Sequence, residues 1–192
     1  NIPVPFSLIS NDVTNDRLVV LPAYWFMYNM YALSRNTWKY TDRDRRTEKI
    51  QHIEYDFLAP DTINEIFNAL QLLEKLIPGK DGSAETEGWE NAKRKTLVMK
   101  VPQSIAVFKN LVIYYGILEL IHHIQKNDLP NFDELKKGLS AKVQRSEWLN
   151  IGGQLIRKSE VDKMKQDIIK GKIKSWDELH NFYRQQGLAY TA

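Results

Sequence analysis

The stretch that decides the fold is Ala23-Tyr24-Trp25-Phe26-Met27-Tyr28-Asn29-Met30-Tyr31-Ala32-Leu33-Ser34-Arg35-Asn36-Thr37-Trp38. It has no Gly or Pro, and wound at helical pitch it is apolar nearly all round. A helix without a polar face lies in a core or beneath a partner. The pattern therefore predicts a central helix over 23–38. A second one of the same kind runs from Gln103-Ser104 to about Lys126, its middle apolar on every side.

Around these two helices the chain reads as smaller amphipathic pieces. Residues 1–22 hold three of the seven prolines and the near-repeat Ser10-Asn11-Asp12-Val13/Thr14-Asn15-Asp16-Arg17, which favours turns and extended chain. This is an N-terminal arm from a preceding domain, with one short strand at Leu18–Leu21. Ile50 to Phe57 fits either a strand or a helix tail. Ile63, Ile66, Phe67, Leu70, Leu73 and Ile77 fall at helical steps after Pro60, with Thr62 and Glu65 at capping-box spacing and Pro78-Gly79 as the stop. Lys80 to Gly88 reads as a mobile loop. Asn131 with Glu134, Ser159 with Asp162 and Ser175 with Glu178 each open a further helix; Gly171 and Gly187 read as stops for the last two. Trp148 to Arg157, interrupted by Gly152-Gly153, reads as a hairpin or sharp bend. The expectation is a mainly α protein, an irregular multi-helix bundle of about six helices with a short β-hairpin or turn near 148–157. Its expected domains are the arm 1–22, a helical core 23–130 and a small C-terminal helical subdomain 131–192 packed on it.

Composition bounds the class. With 43% apolar residues in 192, the chain can bury a full core and is not intrinsically disordered. A net charge of +3 is too small to imply nucleic-acid binding, which is not expected. There is no cysteine, which excludes disulfides, zinc–thiolate sites and a cysteine nucleophile. The apolar run Leu111–Leu118 is short of the roughly 20 residues a bilayer crossing takes. Widening it brings in Lys109, Asn110, Glu119, His122 and His123, so it reads as a buried helix with no membrane involved. No basic-then-apolar leader is visible, and a cytoplasmic location is expected. The chain opens on Asn1-Ile2-Pro3 rather than Met, which reads as a piece of a longer protein.

No complete catalytic set emerges, so whether the chain is an enzyme stays open. Glu119 and His122 have the Glu-x-x-His spacing of carboxylate-bridged di-iron helices, but those need two such pairs and only one is present. They are a weak metal candidate, and no cofactor is expected. Gly152-Gly153-Gln154 is the tripeptide of peptide-release factors, yet its flanks read as strand–turn–strand. Gly79-Lys80 lacks the upstream Gly and following Ser or Thr of a phosphate loop. The constellation with most chemistry is Arg35, Trp38, Lys39, Tyr40, Arg43, Arg45 and Arg46. Arginine forks take phosphate or carboxylate and aromatic faces stack bases or sugars, which together suit an anion or nucleotide site. The competing reading is an ion-pair network with Asp42, Asp44 and Glu48.

Leu21–Ala32, Arg35–Tyr40, Ile53–Asp61 and Gly171–His180 together resemble part of an uncharacterised family of Bacteroides-type bacteria. In that family a hexapeptide-repeat, left-handed β-helix region similar to sugar-nucleotide acyl- and nucleotidyltransferases precedes a helical region of unknown function. The resemblance implies a non-catalytic accessory or interaction domain of a larger bacterial protein related to sugar-nucleotide metabolism. Its partner would be the β-helix region of the parent protein or a second copy of itself. The alternative is a binding or catalytic domain for a sugar nucleotide or other phosphorylated small molecule, built on Arg35–Arg46. No sustained hexapeptide repeat occurs in this chain.

Overall fold

The computed structural model describes residues 2–90, 93–127, 131–139 and 144–191. Its elements in chain order are β1 (Leu8–Asp12), β2 (Arg17–Leu21), α1 (Tyr24–Tyr28), α2 (Met30–Asp42), α3 (Pro60–Leu73), β3 (Ala84–Thr86), β4 (Thr96–Val98), α4 (Val101–Asn127), α5 (Phe132–Leu139), β5 (Trp148–Ile151), β6 (Gln154–Arg157), α6 (Lys158–Ile169) and α7 (Trp176–Thr191). The expected mainly α bundle of about six helices is therefore wrong. Among the described residues there are seven helices and two small sheets, a mixed α/β protein. The chain divides into two compact units, 1–32 with 65–144 and 33–64 with 145–192.

The first unit is built on a four-stranded sheet in the order β1-β2-β4-β3. β1 and β2 form an antiparallel hairpin running from Leu8↔Leu21 to Asp12↔Arg17. The Asn-Asp cluster supplies its turn: the Asp12 carboxylate accepts from Asn15 Nδ2 at 2.8 Å and from Arg17 Nε at 2.9 Å, and Asp16 takes a left-handed φ of 44°. β2 pairs parallel with β4, Val20 opposite Val98, and β4 pairs antiparallel with β3. Residues 84–86, expected to be loop, are thus a strand. Three-residue strands are too short to display a period of two, so nothing in their sequence separates them from loop.

Alternation buries Leu18 and Val20 of β2, with Thr96 and Val98 of β4 beside them. The core is completed by Ile66, Ala69, Leu70 and Leu73 of α3 and by Val101, Ser104, Phe108 and Leu111 of α4. Ser104 Oγ donates to the Pro22 carbonyl at 3.1 Å and to the Lys100 carbonyl at 2.9 Å, so this buried hydroxyl is satisfied. α3 starts with Pro60 at the first helical position rather than through the expected Thr62–Glu65 capping box. Thr62 Oγ1 instead ties back to the Ala59 and Phe57 carbonyls at 2.9 and 3.1 Å. α3 also unwinds after Leu73, leaving Ile77 in solvent.

The predicted central helix over 23–38 does not exist as one element. Ala23 enters it in the left-handed region (φ 55°), and Asn29 (φ −145°, ψ 39°) breaks it into α1 and α2. No residue of either helix is fully buried. Nor is the second apolar helix the buried rod expected. Its first half packs in the core, but beyond Leu111 no residue is fully buried.

The second unit holds the β5–β6 hairpin, in register from Trp148↔Arg157 to Ile151↔Gln154. Gly152 and Gly153 both have positive φ, 63° and 94°, as a two-residue turn matched to strand twist requires. The Asn150 side chain accepts from Gly153 N at 2.8 Å. Leu155 and Ile156 of β6 and Val161 of α6 are buried. α7 begins with a true capping box: Ser175 Oγ accepts from Glu178 N at 3.2 Å, while the Glu178 carboxylate accepts from Ser175 N at 3.1 Å. It does not stop at Gly187 but runs to Thr191. Residues 44–57 have no regular structure, and Glu54 N donates to the Gly153 carbonyl at 2.9 Å.

Candidate functional site

A cavity lies in the second unit, between the 41–55 segment and the face of α7 that carries Arg184, Gly187 and Leu188. Its volume is about 770 Å³, a size typical of small-molecule clefts. One wall is fixed by an ion pair. Asp44, its side chain only 8% exposed, accepts from Arg46 Nε at 2.9 Å and Nη2 at 2.8 Å. Arg46 Nη1 donates to the Gln51 carbonyl at 3.0 Å, which pins the chain seven residues beyond Asp44. The Arg46 hydrogen bonds hold the Asp44 carboxyl far below the usual carboxylate range, and a hydrogen bond with Tyr55 adds to this. Burial, then Asp44, pushes the Tyr55 phenol upward.

The opposite wall depends on a close approach. α7 carries Gly187 where a Cβ would sit 3.0 Å from His52 Cβ. The His52 ring lies 5.3 Å from the Tyr190 ring, and Tyr190 in turn meets Trp148 edge-on at 5.6 Å. The Tyr190 hydroxyl donates to Glu54, tying α7 to the irregular segment. Gln154 is fully buried below this layer; its Nε2 donates to the Tyr183 carbonyl at 2.8 Å, and its Oε1 has no partner among the described residues.

Of the seven residues singled out in the sequence, only Arg46 lines this cleft. Arg35, Trp38, Lys39 and Tyr40 are on α2, and Arg43 and Arg45 follow it. Trp38 and Tyr40 are exposed, and the Lys39 ammonium lies 5.9 Å from the Trp38 ring centre. Sequence reasoning missed Lys49, His52, Tyr55 and Arg184. Arg184 enters from the far end of the chain, so no spacing rule could join it to Arg46. Gly187 did carry a signal, since glycine inside a helical pattern often marks a close approach.

Glu119 and His122 are both exposed on α4, and among the described residues no cluster of three or more His, Asp or Glu side chains could hold a metal. The same helix has a different feature. Ile113, Ile117 and Ile121, at steps of four, with Tyr114 beside them, are between 43% and 60% exposed. By length and composition α4 is long and apolar enough to cross a membrane, and little of its most apolar stretch is buried.

Against known proteins, the chain aligns over 99% of its length, at 33% identity, with an uncharacterized protein of Treponema pallidum (strain Nichols). The chain is homologous to a bacterial protein of unassigned role. It spans only 29% of that relative's length. No family profile matches the chain. No solved structure matches it either.

Proposed function

We propose that the chain is a non-catalytic interaction domain of a larger bacterial protein, with the exposed face of α4 as its contact surface. The observation that carries this reading is the row Ile113, Ile117 and Ile121 with Tyr114, standing in solvent on a helix whose first half is core. Completing the burial of such half-exposed side chains against a partner is worth about 1 kcal/mol each, and contiguous apolar patches mark interaction sites. The Treponema relative supports the reading, because most of its length lies outside the aligned region and can supply the covering surface.

The parent protein in this proposal is a cytoplasmic one related to sugar-nucleotide metabolism. It is of the kind that Leu21–Ala32, Arg35–Tyr40, Ile53–Asp61 and Gly171–His180 resemble, and its hexapeptide-repeat β-helix region is the partner. Hydrogen exchange on the full-length Treponema relative and on its excised matching region tests this. Exchange in the segment aligned with 113–121 is expected to slow markedly in the full-length protein. Equal exchange in both would overturn the proposal. Protection that instead rises with concentration in the excised region would replace the β-helix by a second copy.

A further inference from the structure

We infer that the cleft of the second unit is a binding site for a compact phosphate-bearing small molecule, gripped by Lys49 and Arg184. This is independent of the α4 surface, which belongs to the other unit.

The cations around the cleft divide into two kinds. Arg46 is committed: Nε and Nη2 go to Asp44, and Nη1 goes to the Gln51 carbonyl. It shapes the wall and has little left to offer a ligand. Lys49 is paired only at long range, and Arg184 has no carboxylate partner among the described residues. The Lys49 ammonium stands 3.9 Å from Asp44, a carboxylate already occupied by the Arg46 fork, and its side chain is 63% exposed. Among the described residues no carboxylate lies within ion-pair distance of Arg184, which is also exposed and faces the same concavity from α7. Both cations line one cleft, and an anion bound there gains charge-assisted hydrogen bonds from them. The guanidinium offers a planar fork to phosphate oxygens and the ammonium a point charge, the usual pair of phosphate donors.

The rest of the lining sets the size and class of ligand. Ile50, Ile53 and Leu188 supply an apolar side, so the non-phosphate part of the molecule can leave water. Glu48 is on the same wall and interrupts the positive surface. That disfavours a long polyanion such as nucleic acid, which needs a continuous basic track, and suits a single compact dianion. The mid-helix glycine matters here too. Gly187 lets His52, which also lines the cleft, come close to α7.

Inorganic phosphate is the probe. It is added to the 192-residue chain against chloride at matched ionic strength, with melting temperature and amide chemical shifts as readouts. Phosphate is expected to raise the melting temperature above chloride and to shift amides of 44–55 and 184–188. Lys49→Gln/Arg184→Gln is expected to weaken phosphate binding by about tenfold or more. Arg43→Gln/Arg45→Gln, outside the cleft, should bind as the parent does. No phosphate-specific rise, shifts confined to other segments, or undiminished binding by the Lys49/Arg184 variant would each overturn the assignment. The shift map needs no variant, so it decides the matter even if the substitutions disturb folding.

Discussion

Gly187 of α7 stands so close to His52 that a Cβ on it would lie 3.0 Å from the His52 Cβ and 3.4 Å from the His52 backbone nitrogen. Backbone meets backbone there, and no flexible side-chain tip can move aside. Gly187→Val is expected to destabilise the protein by about 1–3 kcal/mol through overpacking. Gly116, inside α4 with nothing within 4 Å of its would-be Cβ, is the control. Gly116→Ala should stabilise by about 0.8–1 kcal/mol, the helix-propensity difference. Urea unfolding of both variants checks the pair; equal effects would show that the close approach is not felt.

Asp44 gives the fold an acid-sensitive contact. Its carboxyl is held below the usual range in the folded state, chiefly by Arg46, so the folded protein binds that proton less readily than the unfolded chain. The stabilisation is fully present above the unfolded carboxyl value of about 4 and is lost as pH falls towards the lower folded value. Wild-type stability should therefore drop more steeply below pH 4 than that of Asp44→Asn, which is already weaker at neutral pH. Denaturation midpoints at several pH values measure the two slopes, and parallel slopes would refute it.

The Ser175–Glu178 capping box predicts a loss confined to the start of α7. Ser175→Ala removes the acceptor for Glu178 N and should cost about 0.5–2 kcal/mol, whereas Ser175→Asp should cost little. Thermal unfolding of the two variants distinguishes capping from a mere packing effect.

Along α4 two apolar residues nine positions apart should behave oppositely. Phe108 is fully buried, and Phe108→Ala is expected to cost about 3–5 kcal/mol. Ile117 is half exposed, and Ile117→Lys should leave the stability of the chain within about 0.5 kcal/mol. The same change should weaken binding of an apolar-surface dye to the chain. Dye fluorescence unchanged by Ile117→Lys would mean that the exposed patch lies elsewhere.

What could be read from the sequence was whatever is encoded locally. The Gly152-Gly153 turn, the Ser175–Glu178 cap and the Asn131 side chain that accepts from Glu134 N are all statements about three or four adjacent residues. What escaped is set at long range. β4 is a strand because Val20 lies opposite Val98, and β3 because Ala84 does as well from the other side. β1 escaped for another reason: Leu-Ile-Ser-Asn-Asp shows no alternation, since it is an edge strand with both faces largely in solvent. The break at Asn29 splits an apolar run that composition alone reads as one helix. At the cleft, Arg46 with Asp44 was legible as an ion pair between near neighbours. Arg184 was not, because only folding brings it beside that pair.

The interleaving of the two units along the chain has a consequence for how the protein is made. Each unit is discontinuous, and their halves alternate along the chain. During synthesis residues 33–64 emerge early, but the hairpin and helices that complete their unit are encoded after residue 144. At about 5–20 residues per second, a segment bearing exposed Trp38 and Tyr40 waits for seconds before its partners leave the ribosome. That interval leaves the first half of the second unit without its partners and exposed to capture by chaperones.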